Sequence, residues 1–247
     1  MLELIGKTAL VTGGAKRIGS AIAVGLAKEG VDVVVHYSKS KDEATKLCED
    51  IKRLGVKSWL ASADFNDPDS CKRLIVKACE LSGRLDILIN NASVFLASTI
   101  ESVSLEAMNA EMLTNTWAPF LLSMYFAEKA ECGKIVNLLD ARIVGYDFNH
   151  VAYYLSKRML EVLTKMLALK LAPKITVNAV APGLILPPRG KDFSYLELQR
   201  EKVPLKKYGS VSNIVDTVLF FLRNDFVTGQ IVYVDGGKHL TQTIEGL

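Results

Sequence analysis

Asp140, Tyr153 and Lys157 are the residues whose types and spacing most readily support chemistry. Asp140 follows an apolar run, 134–139 (K-I-V-N-L-L), and Tyr153 and Lys157 open a long helical pattern that begins near Val151. Spacing i, i+4 places the phenol and the ammonium on one helix face. A nearby ammonium favours phenolate, so the tyrosine pKa is expected to fall from about 10. With a carboxylate at the strand end, the three side chains make a site for proton transfer. Tyr-x-x-x-Lys alone is weak, because Tyr37/Lys41 and Tyr125/Lys129 also satisfy it. Only the pair at 153 and 157 starts a helix just after a buried strand.

The elements that must hold these residues alternate along the whole chain. β-branched or apolar runs at 8–12, 32–37, 57–61, 85–90, 134–139, 176–181 and 230–234 read as strands. Helical patterns at 18–29, 41–53, 69–81, 105–129, 151–171 and 211–222 lie between them. Continuous rather than alternating apolar strands indicate a parallel sheet covered on both faces. The expectation is one doubly wound α/β domain over 1–247 with about seven strands. Its one long irregular stretch, 182–209, carries a short helical pattern at 193–202 and leaves the sixth strand where ligands bind in such folds. A substrate lid is expected there.

Composition excludes several classes. A net charge of +3 over 247 residues is too mild to indicate nucleic-acid binding. No apolar run reaches the roughly 18 residues of a membrane span. Cys48, Cys71, Cys79 and Cys132 form no C-x-x-C pair, and His36, His150 and His239 are scattered, so no metal or disulfide framework is expected. The first residues show no charged-then-apolar leader pattern, which predicts a cytoplasmic protein.

The first strand runs into T-G-G-A-K-R-I-G, residues 12–19, and then a helix. Glycines in such a turn let backbone N–H groups approach a pyrophosphate, and the helix N-terminus favours the anion. Gly13, Lys16, Arg17, Ile18 and Gly19 are therefore candidate cofactor residues. The second strand ends in His36, Tyr37, Ser38 and Lys39, where an NAD site usually has an acid for the ribose 2′-OH. Lys39 and the hydroxyls there, with Lys16 and Arg17 from the first turn, suit a 2′-phosphate, so NADPH is expected over NADH.

These pieces together resemble the short-chain dehydrogenase/reductase family over nearly the whole length. The resemblance rests on residues 12–19, Asp64 in A-D-F, N-N-A at 90–92, Asn115, Tyr153 with Lys157, Pro182-Gly183, and D-G-G at 235–237. It implies a Rossmann-type sheet of order 3-2-1-4-5-6-7 and a homotetramer. It also implies that Asp64 and Phe65 lie by the adenine, that Asn91, Ala92, Pro182 and Gly183 lie along the cofactor, and that Asn115 extends a proton relay through a water and Lys157. A helix kink at Asn115, four residues before Pro119, is the other reading of that residue.

Two departures narrow the resemblance. Arg17 replaces the middle glycine of the family turn, and Asp140 replaces the serine that usually precedes the tyrosine by about 13 residues. Both are similar to pteridine reductases and dihydromonapterin reductases, as are His36-Tyr37-Ser38 and Ser93 with Phe95 two residues on. That likeness implies that Phe95 stacks a pterin ring, and that Arg17 and Ser93 reach cofactor phosphate or substrate. Leu184, in the excursion, is expected to line the substrate side.

Asp140 separates the substrate classes. A ketone reduced by hydride develops an oxyanion, which a donor such as serine stabilises and a carboxylate repels. A ring C=N bond instead needs a proton on nitrogen, which a carboxyl–tyrosine pair can relay. The expectation is an NADPH-dependent dihydropterin reductase. A 3-oxoacyl-thioester reductase and an NADPH-binding regulator without turnover are the alternatives. A second apolar row on helix 151–171, Leu155, Met159, Val162, Met166 and Leu169, asks for burial against another subunit.

Overall fold

Alternation along single strands decides which side of the sheet each residue serves. In the computed structural model, which describes residues 3–188, 190–241 and 244–245, strand β1 (Thr8–Val11) is wholly buried. Its Ala9 and Val11 point into one apolar cluster and Leu10 into the other. β2 (Asp32–Tyr37) and β4 (Ile87–Asn90) repeat the division: Val33, Val35, Ile87 and Ile89 face one way, Val34 and Leu88 the other. Successive side chains on a strand project to opposite faces, so apolar runs without alternation need cover on both.

That cover comes from helices. α1 (Arg17–Lys28), α2 (Lys41–Arg53) and α8 (Val211–Arg223) close one face through Ile22, Leu26, Ile51, Ile214 and Phe221. α3 (Asp69–Ser82), α5 (Ala118–Lys129) and α6 (Val151–Leu171) close the other through Leu74, Ile75, Leu122, Phe126 and Leu167. Burying each large aliphatic side chain contributes about 1.5–3 kcal/mol. With β3 (Ser58–Ser62), β5 (Gly133–Leu138), β6 (Ile175–Pro182) and β7 (Ile231–Val234), the strands form one parallel sheet of order β3-β2-β1-β4-β5-β6-β7. This is the expected doubly wound domain.

The expected single helix over 105–129 is divided. α4 (Leu105–Met112) passes into a π-helical turn, Leu113–Trp117, before α5 begins. The Ala118 N–H reaches back five residues to the Leu113 carbonyl. Pro119 has no N–H to offer the Asn115 carbonyl four residues earlier, so regular α-helical pairing fails at this point. The kink reading of Asn115 is therefore correct for its backbone.

Helix α6 confirms the two-row pattern. Leu160 and Leu167 are buried, whereas Leu155, Met159, Val162, Met166 and Leu169 are all exposed, Leu169 to 83 %. Within 182–209 the helix α7 (Ser194–Arg200) buries Leu196. Residues 244–245 pair in parallel with 146–147 of the same chain, while Gln242, Thr243, Gly246 and Leu247 lie outside the described residues. Among the described residues no helix is long and apolar enough to cross a membrane.

Candidate active site

The first turn is built from backbone contacts that tolerate no side chain. Gly13 has φ +59°, and a Cβ there would stand 2.9 Å from the Ala92 Cα. A Cβ on Gly19 would run into the Gly13 carbonyl and the Asn91 amide. Asn91 Nδ2 donates to the Thr12 and Gly13 carbonyls at 2.8 and 3.1 Å, and the Ala92 N–H donates to Thr12 Oγ1 at 3.0 Å. The segment after β4 is thereby stapled to the turn. α1 carries no side-chain cap and no acidic residue in its first turn. Its leading N–H groups and positive dipole end thus suit a pyrophosphate.

Arg17 shows why the family position favours glycine. It holds φ +57°, a left-handed conformation that costs a side chain roughly 1–2 kcal/mol. Its guanidinium donates to the Pro187 carbonyl at 2.8 Å. The arginine thus ties the first turn to the 182–209 excursion, whose base is closed by Gly209 N–H donating to the Leu184 carbonyl at 2.9 Å. Gly183 lies so close to Asp235 that a Cβ would stand 2.7 Å from its Cα.

His36 requires a correction. It is buried, its Nδ1 accepts the Gly13 N–H at 3.0 Å, and its Nε2 lies 3.2 Å from the Ala63 carbonyl. Burial lowers its pKa to about 4, and Phe65 stacks on it at 4.6 Å. A neutral ring with both nitrogens engaged shapes the turn from beneath and presents no cation to a phosphate. Lys16 is held by Glu43 at 2.5 Å. Ser38 and Lys39 are exposed at the end of β2, and Tyr37 is half-buried between them and the core. Asp64 is exposed and accepts from Asn66.

The proton site is assembled from distant segments. Tyr153 Oη donates to Asp140 Oδ2 at 3.0 Å, and Asp140 Oδ1 accepts the Arg142 N–H at 2.9 Å. The Arg142 guanidinium turns instead to Asp147, at 3.1 Å. Lys157 is 2 % exposed, donates to the Leu138 carbonyl at 2.7 Å, and lies 5.8 Å from the Tyr153 ring centroid. The tyrosine is not the acidified phenol that the spacing suggested. Burial and the Asp140 carboxylate raise its pKa well above the ordinary value. Burial also lowers Lys157 to about 8, against the pull of Asp140 and Glu111. Tyr153 is therefore a protonated donor aimed at a carboxylate.

Asn115 joins this site to the segment after β4. Its Oδ1 accepts from Val94 N–H at 2.8 Å and Ser93 Oγ at 3.0 Å, while its Nδ2 lies 3.0 Å from Ser156 Oγ. Phe95 meets the Tyr153 ring edge-on at 4.7 Å. Its face is not free: His150 stacks on it at 4.3 Å, and Arg142 lies 5.4 Å from its centroid. His150 is held in turn by Asp147, which takes its Nδ1 at 3.0 Å. A planar substrate stacking on Phe95 competes with that imidazole. Glu111, Ser156, Asp147 and His150 were not singled out from the sequence. Glu111 and Asn115 do share the i, i+4 signal of one helix face.

Three comparisons place this geometry among known proteins. A family model described as "Enoyl-(Acyl carrier protein) reductase" matches residues 13–239. The chain is 34 % identical to 3-oxoacyl-[acyl-carrier-protein] reductase of Staphylococcus epidermidis, covering 95 % of this chain and 99 % of that one. It is also 34 % identical to pteridine reductase 1 of Leishmania tarentolae, over 95 % of this chain and 96 % of the other. Among solved structures, FolM alternative dihydrofolate reductase 1 from Brucella canis, complexed with NADP, superposes with a TM-score of 0.90. It is 32 % identical, with 97 % of this chain and 96 % of that chain covered. With its glycine turn, its seven-stranded sheet and its tyrosine–lysine pair, the chain is an oxidoreductase that belongs to the short-chain dehydrogenase/reductase family.

Proposed function

We propose that this protein is an NADPH-dependent reductase of dihydropterins. The observation that carries the reading is the hydrogen bond from Tyr153 Oη to Asp140 Oδ2 at 3.0 Å. The uncapped start of α1, with Gly13, Ile18 and Gly19, would hold the pyrophosphate, and Arg17, Ser38 and Lys39 would meet the 2′-phosphate. Asn91, Ala92, Ser93, Pro182 and Gly183 would border the nicotinamide half, with Asp64 and Phe65 beside the adenine. A nicotinamide cofactor held by these residues would supply the hydride for the substrate carbon. Complexes of related proteins with NADP support the cofactor assignment.

The chain's own residues manage the proton. Reduction of C=N adds hydride to carbon and a proton to nitrogen. Tyr153 Oη holds that proton, and Asp140 orients it while accepting N–H groups of an aminopterin ring. Giving it up leaves a buried phenolate, which the surroundings disfavour, so rapid reprotonation is required. Lys157, with its pKa near 8, is the adjacent group able to release a proton near neutrality. Phe95, Arg17 and Leu184 would border the ring.

A 3-oxoacyl-thioester reductase is the second reading, favoured by the likeness to the Staphylococcus epidermidis enzyme. It is disfavoured by charge: the developing oxyanion needs a hydrogen-bond donor where Asp140 places a carboxyl group. Following NADPH absorbance with dihydropterin and acetoacetyl thioester side by side decides between them. Dihydropterin-dependent oxidation is expected. Turnover of the thioester alone would overturn the reading, and tight NADPH binding without turnover would indicate a regulator. The exposed row on α6, beside an open recess lined by Met112, Trp117 and Met159, supports self-association into the family's tetramer.

A further inference from the structure

Glu111 is a carboxylic acid with no solvent exposure at the back of the proton site. It stands one helical turn before Asn115, at the end of α4. Oε1 accepts the Leu96 N–H at 2.7 Å, and Oε2 lies 3.2 Å from Asn115 Nδ2. Asn115 meanwhile grips Val94 on both sides, taking its N–H at 2.8 Å and donating to its carbonyl at 2.9 Å. Glu111 and Asn115 thus fasten residues 93–96 from both ends, and Phe95 lies between the fastened points, edge-on to Tyr153.

A neutral amide would satisfy the Leu96 N–H equally well. Burying a carboxylate for that purpose alone is a poor bargain, since desolvation penalises the ionised form. Desolvation raises the Glu111 pKa to about 7, so its charge changes near neutrality. The titratable groups it acts on are Lys157 and Tyr153, both on α6. Asp140, from the end of β5, acts on the same two side chains. Residues 93–96 hydrogen-bond to Glu111 and Asn115 through the Leu96 N–H, the Val94 backbone and the Ser93 hydroxyl, and no ion pair joins Glu111 to Lys157 among the described residues.

We infer that Glu111 is a positioning residue of the reductase site: its carboxylate sets Phe95 against Tyr153 through Leu96 and Asn115, and its charge supports the Lys157 ammonium. This rests on the reductase reading of the site and not on which substrate is reduced. Above about pH 7 both carboxylate oxygens are acceptors and the clamp is complete. Below it, one oxygen becomes a hydroxyl and one acceptor is lost.

Glu111→Gln tests the inference without removing the side chain's shape. About a tenfold loss in kcat/KM is expected, carried mainly by KM, since small misplacements of positioning groups are costly. The high-pH limb of the rate profile, set by Lys157, should move to lower pH once the supporting charge is gone. Thermal melting gives a readout independent of turnover. The folded-state pKa of Glu111 lies above its ordinary 4.5, so the stability this one group contributes falls as pH rises from 5 to 8, while buried His36, lowered to about 4, adds the opposite trend equally in wild type and variant. The Gln variant lacks that fall, and its melting temperature should gain on wild type across the same window. Wild-type KM and an unmoved limb would overturn the inference. So would a uniform loss of melting temperature at every pH, which marks a merely structural contact. If wild type reduces thioester but not dihydropterin, the substrate reading fails and the same kinetic arms decide Glu111 on the thioester.

Discussion

The cofactor turn and the proton site are built on opposite principles. The turn at residues 12–19 is made of backbone: Gly13, Gly19, the Thr12 hydroxyl and the Asn91 amide leave no room for substitution. The proton site is made of side chains from four separate segments: buried Glu111 with Asn115 and buried Tyr153 with Ser156 and Lys157, half-buried Asp140, and Ser93 with Phe95 at the exposed rim. The first recognises an anion by shape and dipole. The second holds charges out of water, so each pKa depends on every neighbour. Changes in the turn should therefore act on binding, and changes in the proton site on turnover and its pH dependence.

Tyr153→Phe applies the greatest stress to that comparison. It removes the transferable proton, and turnover should fall by about 10²–10⁴-fold while NADPH affinity, by fluorescence titration, stays near wild type. A parallel loss of NADPH affinity would break the division of labour. Asp140→Asn keeps the shape but removes the charge, and about a 10²-fold loss of dihydropterin turnover is expected. An unchanged rate would remove Asp140 from the mechanism.

Arg17→Gly tests the turn. Relief of the left-handed strain, offset by glycine's larger unfolded-state entropy, should stabilise by at most about 1 kcal/mol. That corresponds to a rise in melting temperature of roughly 2–4 °C. Loss of the tether to Pro187 should raise KM several-fold with kcat little changed, and a kcat-only effect would contradict the comparison. The smallest catalytic effect is expected from Met166→Lys, on the exposed row of α6. Light scattering should show the assembly falling apart, while a wild-type monomer would end the tetramer proposal.

Much of this was legible in the residues themselves, for physical reasons that differ by element. Apolar runs such as Val33–Val34–Val35 can be satisfied only by cover on both sides, so the doubly wound layout follows from local pattern. Tyr153 and Lys157 share a face by helical spacing. Asp140 could be placed by its distance from Tyr153 and the preceding strand. A break near Asn115 was legible from Pro119, but its form as a π turn at Leu113–Trp117 was not, because no residue type marks where a helix takes in one extra residue. Glu111 was hidden among ordinary surface-type glutamates, since only packing against residues 93–96 and α6 removes it from water.

By itself the sequence determined the doubly wound class and the chemical types at the site, because these depend on local periodicity and on motifs read within a few residues; the sheet order came only as what the family resemblance implied, and the structure has it. Only the tertiary structure decided how those groups behave. His36, expected to meet a phosphate, became a neutral support for Gly13 because burial costs it its charge. Tyr153 and Lys157, first met as a phenol acidified by its neighbour, became a protonated donor and an ammonium poised near neutrality. The cause is desolvation in both cases; the carboxylates of Asp140 and Glu111 push Tyr153 the same way and hold Lys157 back, and packing alone brings them to these two side chains.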